Sequence, residues 1–120
     1  MTARGKTASD LAALAVLAVS TLVLLLPIVR VAPSAIGPNL GDPLLNLYFL
    51  EWGAHQLARD PVDVWSPPFF YPTERVLTLS DHLLGPAVAH LLLRKAGLPS
   101  PGAYNVLLVV TFWLSGWVAF

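Results

Sequence analysis

The chain has 120 residues, of which 56% are apolar types and only 12% are charged, about half the charged share of an ordinary soluble domain. Too few charges remain to coat a soluble surface, so the composition points to a membrane protein. Seven basic and seven acidic side chains cancel, which argues against a nucleic-acid partner, and the absence of Cys excludes disulfides, thiolate metal sites and a Cys nucleophile.

Charge is distributed unevenly. Six of the acidic residues (Asp42, Glu51, Asp60, Asp63, Glu74, Asp81) lie between Gly37 and His82, against Arg59 and Arg75 alone, which gives that region a formal charge of −4. The other bases, Arg4, Lys6, Arg30, Arg94 and Lys95, flank apolar segments, where membrane topology is decided.

Residues 1–10 are polar and basic and read as a cytoplasmic N-terminus. Leu11 to Val29 is then a 19-residue apolar run, long enough at about 1.5 Å per residue to cover roughly 28 Å of bilayer. A first transmembrane helix over 11–30 follows, bent or ended near Pro27, with Arg30 snorkelling at its outer end. The alternative is a signal peptide cleaved near Ala32-Pro33-Ser34, although this run exceeds the usual apolar core of such peptides.

An extracytoplasmic loop is expected over 31–75. Pro33 to Leu40 turns the chain onto the membrane surface, and Asp42-Pro43 opens a helix, with Asp42 as N-cap and Pro43 in the first position. The helix spans 43–59 and is amphipathic. Leu47, Leu50, Ala54 and Leu57 share an apolar face that rests on lipid or neighbouring helices, and Glu51, His55 and Arg59 line another at i, i+4, i+8, where Glu51 can pair with His55. Asp60 to Pro72 carries four Pro and a cluster of Trp65, Phe69, Phe70 and Tyr71, suited to a packed extended loop at an interface.

Residues 76–95 form a second, weaker transmembrane candidate, followed by the basic pair Arg94-Lys95 expected at a cytoplasmic exit. Its inner part, Leu83 to Leu93, is short enough to be interfacial or re-entrant instead, and His90 within it reads as a packed helix residue. Residues 96–102 make a cytoplasmic connector, and 103–120 a third apolar run that returns outward and stops without a polar flank, as in the N-terminal part of a longer protein. The expected fold is an all-α membrane protein with two to three transmembrane helices and an extracytoplasmic loop holding an interfacial amphipathic helix.

Common soluble-enzyme signatures are absent: there is no P-loop, no Gly-x-Gly-x-x-Gly, no His-Glu-x-x-His and no Gly-x-Ser-x-Gly. The candidates for chemistry are polar groups of the outer loop: Asp42, Asn46, Glu51, His55, Asp60, Tyr71, Asp81 and His82. Asp42 reads equally as a helix cap, and Asp81 as a cap for the helix after it.

The order of these segments, an apolar helix, GDPLLNLYFLEWGAHQLARDP, an aromatic stretch ending FFYP, then LTLSDHLLG, resembles the N-terminal region of bacterial GT-C type membrane glycosyltransferases that use polyprenyl-phosphate-linked sugars. The resemblance covers about residues 11–120. It implies transfer of a hexosyl or pentosyl group to an extracytoplasmic acceptor in the bacterial plasma membrane, among the remaining helices of a longer chain. It implies Asp42 as the catalytic base, or as the ligand of a divalent metal ion if one is used. Asp81 and His82 fall where family members often carry polar or charged residues at the start of the second helix, which implies contact with donor phosphate or acceptor, and His55, Tyr71 and Arg75 complete the candidate substrate-binding set. Many family members have two adjacent acidic residues at the loop position, whereas here Pro43 follows Asp42 and Glu51 is the next acid. The alternatives are a non-catalytic multi-pass protein, such as a transporter-like or assembly subunit, and an inactive fragment.

Overall fold

A computed structural model of the chain describes residues 3–32, 34–37 and 41–119. Among the described residues the fold is helix, turn and loop with no strand, and the molecule measures 62 × 29 × 26 Å. Five α-helices follow in order: α1 (Ala3–Leu24), α2 (Leu26–Val31), α3 (Asp42–Arg59), α4 (Leu84–Lys95) and α5 (Ser100–Val118), with 3-10 turns at Pro61–Trp65 and Val76–Leu79. Part of the expected surface turn over Pro33 to Leu40 lies outside the described residues, as do Met1, Thr2 and Phe120 at the ends.

The first apolar run is interrupted where Pro27 requires it. Proline has no N–H to donate and its ring collides with the carbonyl four residues back, so α1 closes at Leu24 and α2 restarts with Pro27 in its first turn. The junction is short: Leu25 N–H still reaches the Thr21 carbonyl at 2.9 Å, and Val29 N–H reaches that of Leu25 at 2.9 Å.

α3 has nearly the bounds its sequence suggests, but Asp42 does not cap it. Gly41 is the boundary residue, its carbonyl accepting from Leu44 N–H at 3.1 Å and Leu45 N–H at 3.2 Å, and as a glycine it brings no side chain of its own to cap the helix. Asp42 lies one residue inside, in the first turn, where its charge complements the helix dipole. Leu50 and Ala54 are buried, and Leu47 and Leu57 pack against the cluster of Leu50, Ala87 and Tyr104, so the apolar face rests on neighbouring helices. Gly53 permits the approach of α4: a Cβ there would lie 2.8 Å from the Ala87 Cβ.

The expected single helix over 76–95 is not formed. Val76–Leu79 is a 3-10 turn, Leu83 has a left-handed backbone (φ 48°), and α4 begins only at Leu84. Pro86 supplies the reason. Inside a longer helix it would forfeit a hydrogen bond and strike the His82 carbonyl, whereas in the first turn its missing N–H costs nothing. At 12 residues α4 is about 18 Å long, short of a bilayer core. It ends in a Schellman motif around Gly97 (φ 96°), with Leu98 N–H on the Leu93 carbonyl at 3.1 Å and Gly97 N–H on that of Arg94 at 3.0 Å.

α5 starts three residues earlier than the expected 103, with Ser100 and Pro101 in its first turn, so the connector shortens to Ala96–Pro99. Its N-terminal turns, Gly102 to Asn105, are buried against α3 and α4, and its C-terminal half lies along α1. The pairing with α1 is antiparallel. Leu17 meets Gly116, Thr21 and Leu22 share a cavity with Trp113, and Ile28 and Val29 share one with Asn105 and Val106. Among the described residues Ser100–Val118 is the one helix long and apolar enough to cross a membrane, and Ser9–Leu24 is a shorter apolar helix. The buried core sits almost wholly in α3, α4, the 3-10 turns and the start of α5, while Val16, Val19, Val23, Phe112 and Trp117 are exposed.

Candidate functional site

The fold sorts the polar groups of residues 42–100 into three places on α3 and its cover. Along one stripe of α3, Asp42, Leu45 and Phe49 follow at i, i+3, i+7. Leu45, Tyr48 and Phe49 form one wall of an apolar groove of about 1000 Å³, closed by Phe69, Phe70 and Leu79. Ring contacts fasten the wall to the loop, Tyr48 edge-on to Phe69 at 5.5 Å and Phe49 tilted against it at 5.9 Å between ring centroids. Burial raises the Tyr48 phenol above its ordinary 10.0, so it remains protonated. Asp42 itself is exposed, one turn beyond the last groove residue of α3.

The opposite stripe holds an ion-pair clasp. Glu51 Oε1 accepts from His90 Nε2 at 3.0 Å and from Arg94 Nε at 3.2 Å, and its side chain also bonds Ser100 at the start of α5. His90 and Arg94, at i and i+4 on α4, reach the carboxylate together. Arg94 further donates Nη1 to the Leu98 carbonyl at 2.8 Å. Because a carboxylate only accepts, His90 Nε2 carries the proton, and its buried Nδ1 has no partner. Burial alone would raise the Glu51 pKa, but the hydrogen bonds from Ser100 and His90 and the charges of His90 and Arg94 outweigh it and hold the group below its ordinary 4.5. Sequence reasoning placed Glu51 with His55. In the structure His55 points to solvent and the partner comes from 39 residues further on.

The remaining predicted residues scatter. Asp81 and His82 are exposed before α4, where His82, not Asp81, receives a helix N–H: Leu84 N–H donates to His82 Nδ1 at 3.3 Å. The His82 ring stands edge-on to Trp65 at 5.4 Å. Tyr71 is 92% exposed at the tip of the aromatic loop. Arg75 lines a polar pocket with Asp60, Asp63 and Glu74. From Asp42, Glu51 and His55 lie roughly 14 and 20 Å along the helix axis, so neither shares a reaction centre with it. Among the described residues no three His, Asp or Glu side chains group as metal ligands. Asp42 therefore offers a divalent ion one carboxylate, and no chemical step is assigned to a metal.

The residues that sequence reasoning passed over are His90 and Arg94. Their i, i+4 spacing is a legible signal, because two basic side chains on one face of a largely apolar helix require a partner. Comparison with known protein families, with curated proteins and with solved structures found no match to the chain.

Proposed function

We propose that the chain is an integral membrane module of a glycosyltransferase, moving a sugar from a polyprenyl-phosphate donor to an extracytoplasmic acceptor. The observation that carries this reading is the apolar, aromatic-walled groove that begins one helical turn from the exposed carboxylate of Asp42. The groove suits an isoprenoid chain, and the carboxylate at its mouth suits a general base. In this reading the acceptor oxygen attacks the anomeric carbon as Asp42 takes its proton. The bond from that carbon to the phosphate oxygen breaks, polyprenyl phosphate leaves with the electron pair, and the anomeric centre inverts.

The helices support a revised placement in the bilayer. α5 is long and apolar enough to span, α1 with its shorter apolar stretch Ser9–Leu24 lies antiparallel beside it, and α3 with α4 caps one end of the hairpin. With the N-terminus cytoplasmic, α1 runs outward, α4 stays outside and α5 runs back in. The exposed apolar faces of α1 and α5 then meet lipid and further helices. Those same faces favour a second reading, a non-catalytic membrane subunit that uses them for assembly.

The two readings part at Asp42. In membranes supplied with a radiolabelled polyprenyl-phosphate sugar, Asp42→Asn should lower transfer at least 100-fold, the scale of a lost general base. Transfer equal to that of the parent protein would remove Asp42 from the chemistry and leave the assembly reading.

A further inference from the structure

The polar pocket is separate from the groove. About 660 Å³ in volume, it lies between the 3-10 turn Pro61–Trp65 and the segment leading into the next one. Its wall combines the indole of Trp65, the carboxylates of Asp60, Asp63 and Glu74, the guanidinium of Arg75 and the hydroxyl of Ser66. That size falls within the range of small-molecule sites.

Several of these groups are already held in place. Asp60 Oδ1 accepts from Val62 N–H at 3.2 Å and Asp63 Oδ2 from Gln56 Nε2 at 3.3 Å. Ser66 Oγ accepts from Arg75 N–H at 3.3 Å, and Thr78 Oγ1 donates to the Arg75 carbonyl at 2.7 Å. Those two contacts fix Arg75 in a left-handed conformation (φ 54°) that L side chains rarely adopt. The His82 ring braces Trp65.

The composition of the wall selects its ligand. Three carboxylates against one guanidinium repel anions, which excludes a phosphorylated compound. The carboxylates do not gather as metal ligands, which argues against a bare cation. A dense ring of acceptors beside an indole instead matches a polyhydroxylated ring. One face of such a ring is C–H and stacks on an aromatic surface, and its hydroxyls donate to carboxylates and accept from Arg. We infer that this pocket binds an uncharged or cationic pyranose, lying on Trp65 with its hydroxyls bonded to Asp63, Glu74 and Arg75. Under the sugar-transfer reading, on which this role alone rests, that pyranose belongs to the acceptor.

The test uses the whole chain in lipid nanodiscs, with saturation-transfer NMR titrations of methyl β-D-glucopyranoside, glucosamine and glucose 6-phosphate. The first two should saturate, and glucose 6-phosphate should bind at least about tenfold more weakly. Glu74→Gln, which removes an exposed carboxylate, and Trp65→Ala should each weaken the neutral sugar about tenfold at unchanged helical circular dichroism. Equal binding of the phosphorylated sugar, no saturation by any of the three, or indifference to Glu74→Gln would overturn the assignment. The transfer assay separates it from the proposed function. Saturable sugar binding with transfer indifferent to Asp42→Asn keeps the pocket and rejects the transferase, and the reverse pattern rejects the pocket alone.

Discussion

Replacing Glu51 by Ala tests whether the clasp holds the cap on the helical hairpin. Its two contacts differ in worth. The bond to Arg94 joins side chains that are both 39% exposed, so solvent screening limits it to under about 1 kcal/mol. The bond to His90 matters more, because that side chain is fully buried and its other nitrogen is already unpartnered. Removing the acceptor leaves both ring nitrogens without a bond, at a cost of about 1–3 kcal/mol. The sum, about 1–4 kcal/mol, should lower the midpoint of thermal unfolding in detergent by roughly 4–16 °C, taking about 4 °C per kcal/mol for a chain of this size. Glu51→Gln, which keeps an oxygen acceptor, should lose less. The double variant Glu51→Leu with His90→Leu should recover most of the loss, because neither partner is then left unpaired. Additive effects in that double-mutant cycle, or a Glu51→Ala midpoint within about 2 °C of the parent, would refute the clasp.

The same carboxylate sets a pH dependence. Its folded pKa is depressed below 4.5, so its contribution is fully present above that value and is lost as pH falls below 4.5 through the lower folded pKa. Acid titration of unfolding should show this slope in the parent and not in Glu51→Gln. Gly53→Ala should destabilise by about 1–3 kcal/mol, since the new methyl group meets the short, rigid Ala87 side chain. Gly116→Ala should be close to neutral in the same assay, because the atoms it meets are the tips of Leu17, which can rotate, and Ala gains about 1 kcal/mol in helix propensity. The chain has no native Cys, so topology is open to single-cysteine labelling. With α4 outside, Thr73→Cys and Ala96→Cys should both react with a membrane-impermeant maleimide from the extracytoplasmic side. Protection of Ala96→Cys alone would restore a crossing between them.

What was legible in the sequence is what local chemistry decides. Asp42-Pro43 and Asp60-Pro61 bound α3 because a proline can enter a helix only in its first turn, and that constraint acts within a few residues. Pro86 carried the same message for α4, but the apolar character averaged over 76–95 concealed it. Periodicity offered Glu51 a neighbour on its own helix, His55, because periodicity sees one helix at a time. The choice of His90 and Arg94 depends on how α3 crosses α4, which Gly53 and Ala87 set through contact. The polar pocket was hidden for another reason. Arg75 turns the chain with a positive φ without being Gly or Asn, so no residue type announces the bend that brings Glu74 and Arg75 opposite Asp60 and Asp63.

The pairing of Arg94 with Glu51 gives that member of the basic pair Arg94-Lys95 a structural role in the fold, bound to an acidic residue of the cap and to the Leu98 carbonyl. Arg4 and Lys6 favour a cytoplasmic N-terminus, while Arg30, Arg94 and Lys95 stand at the other end of the hairpin. In the proposed placement, with α1 and α5 antiparallel, the head of α3, the aromatic groove, the polar pocket and the start of α5 all fall at the same, outer end of the hairpin. A third crossing would have divided them between two compartments. The clasp, by joining α3 and α4 to the first turn of α5 through Glu51, ties the cap to the helical hairpin.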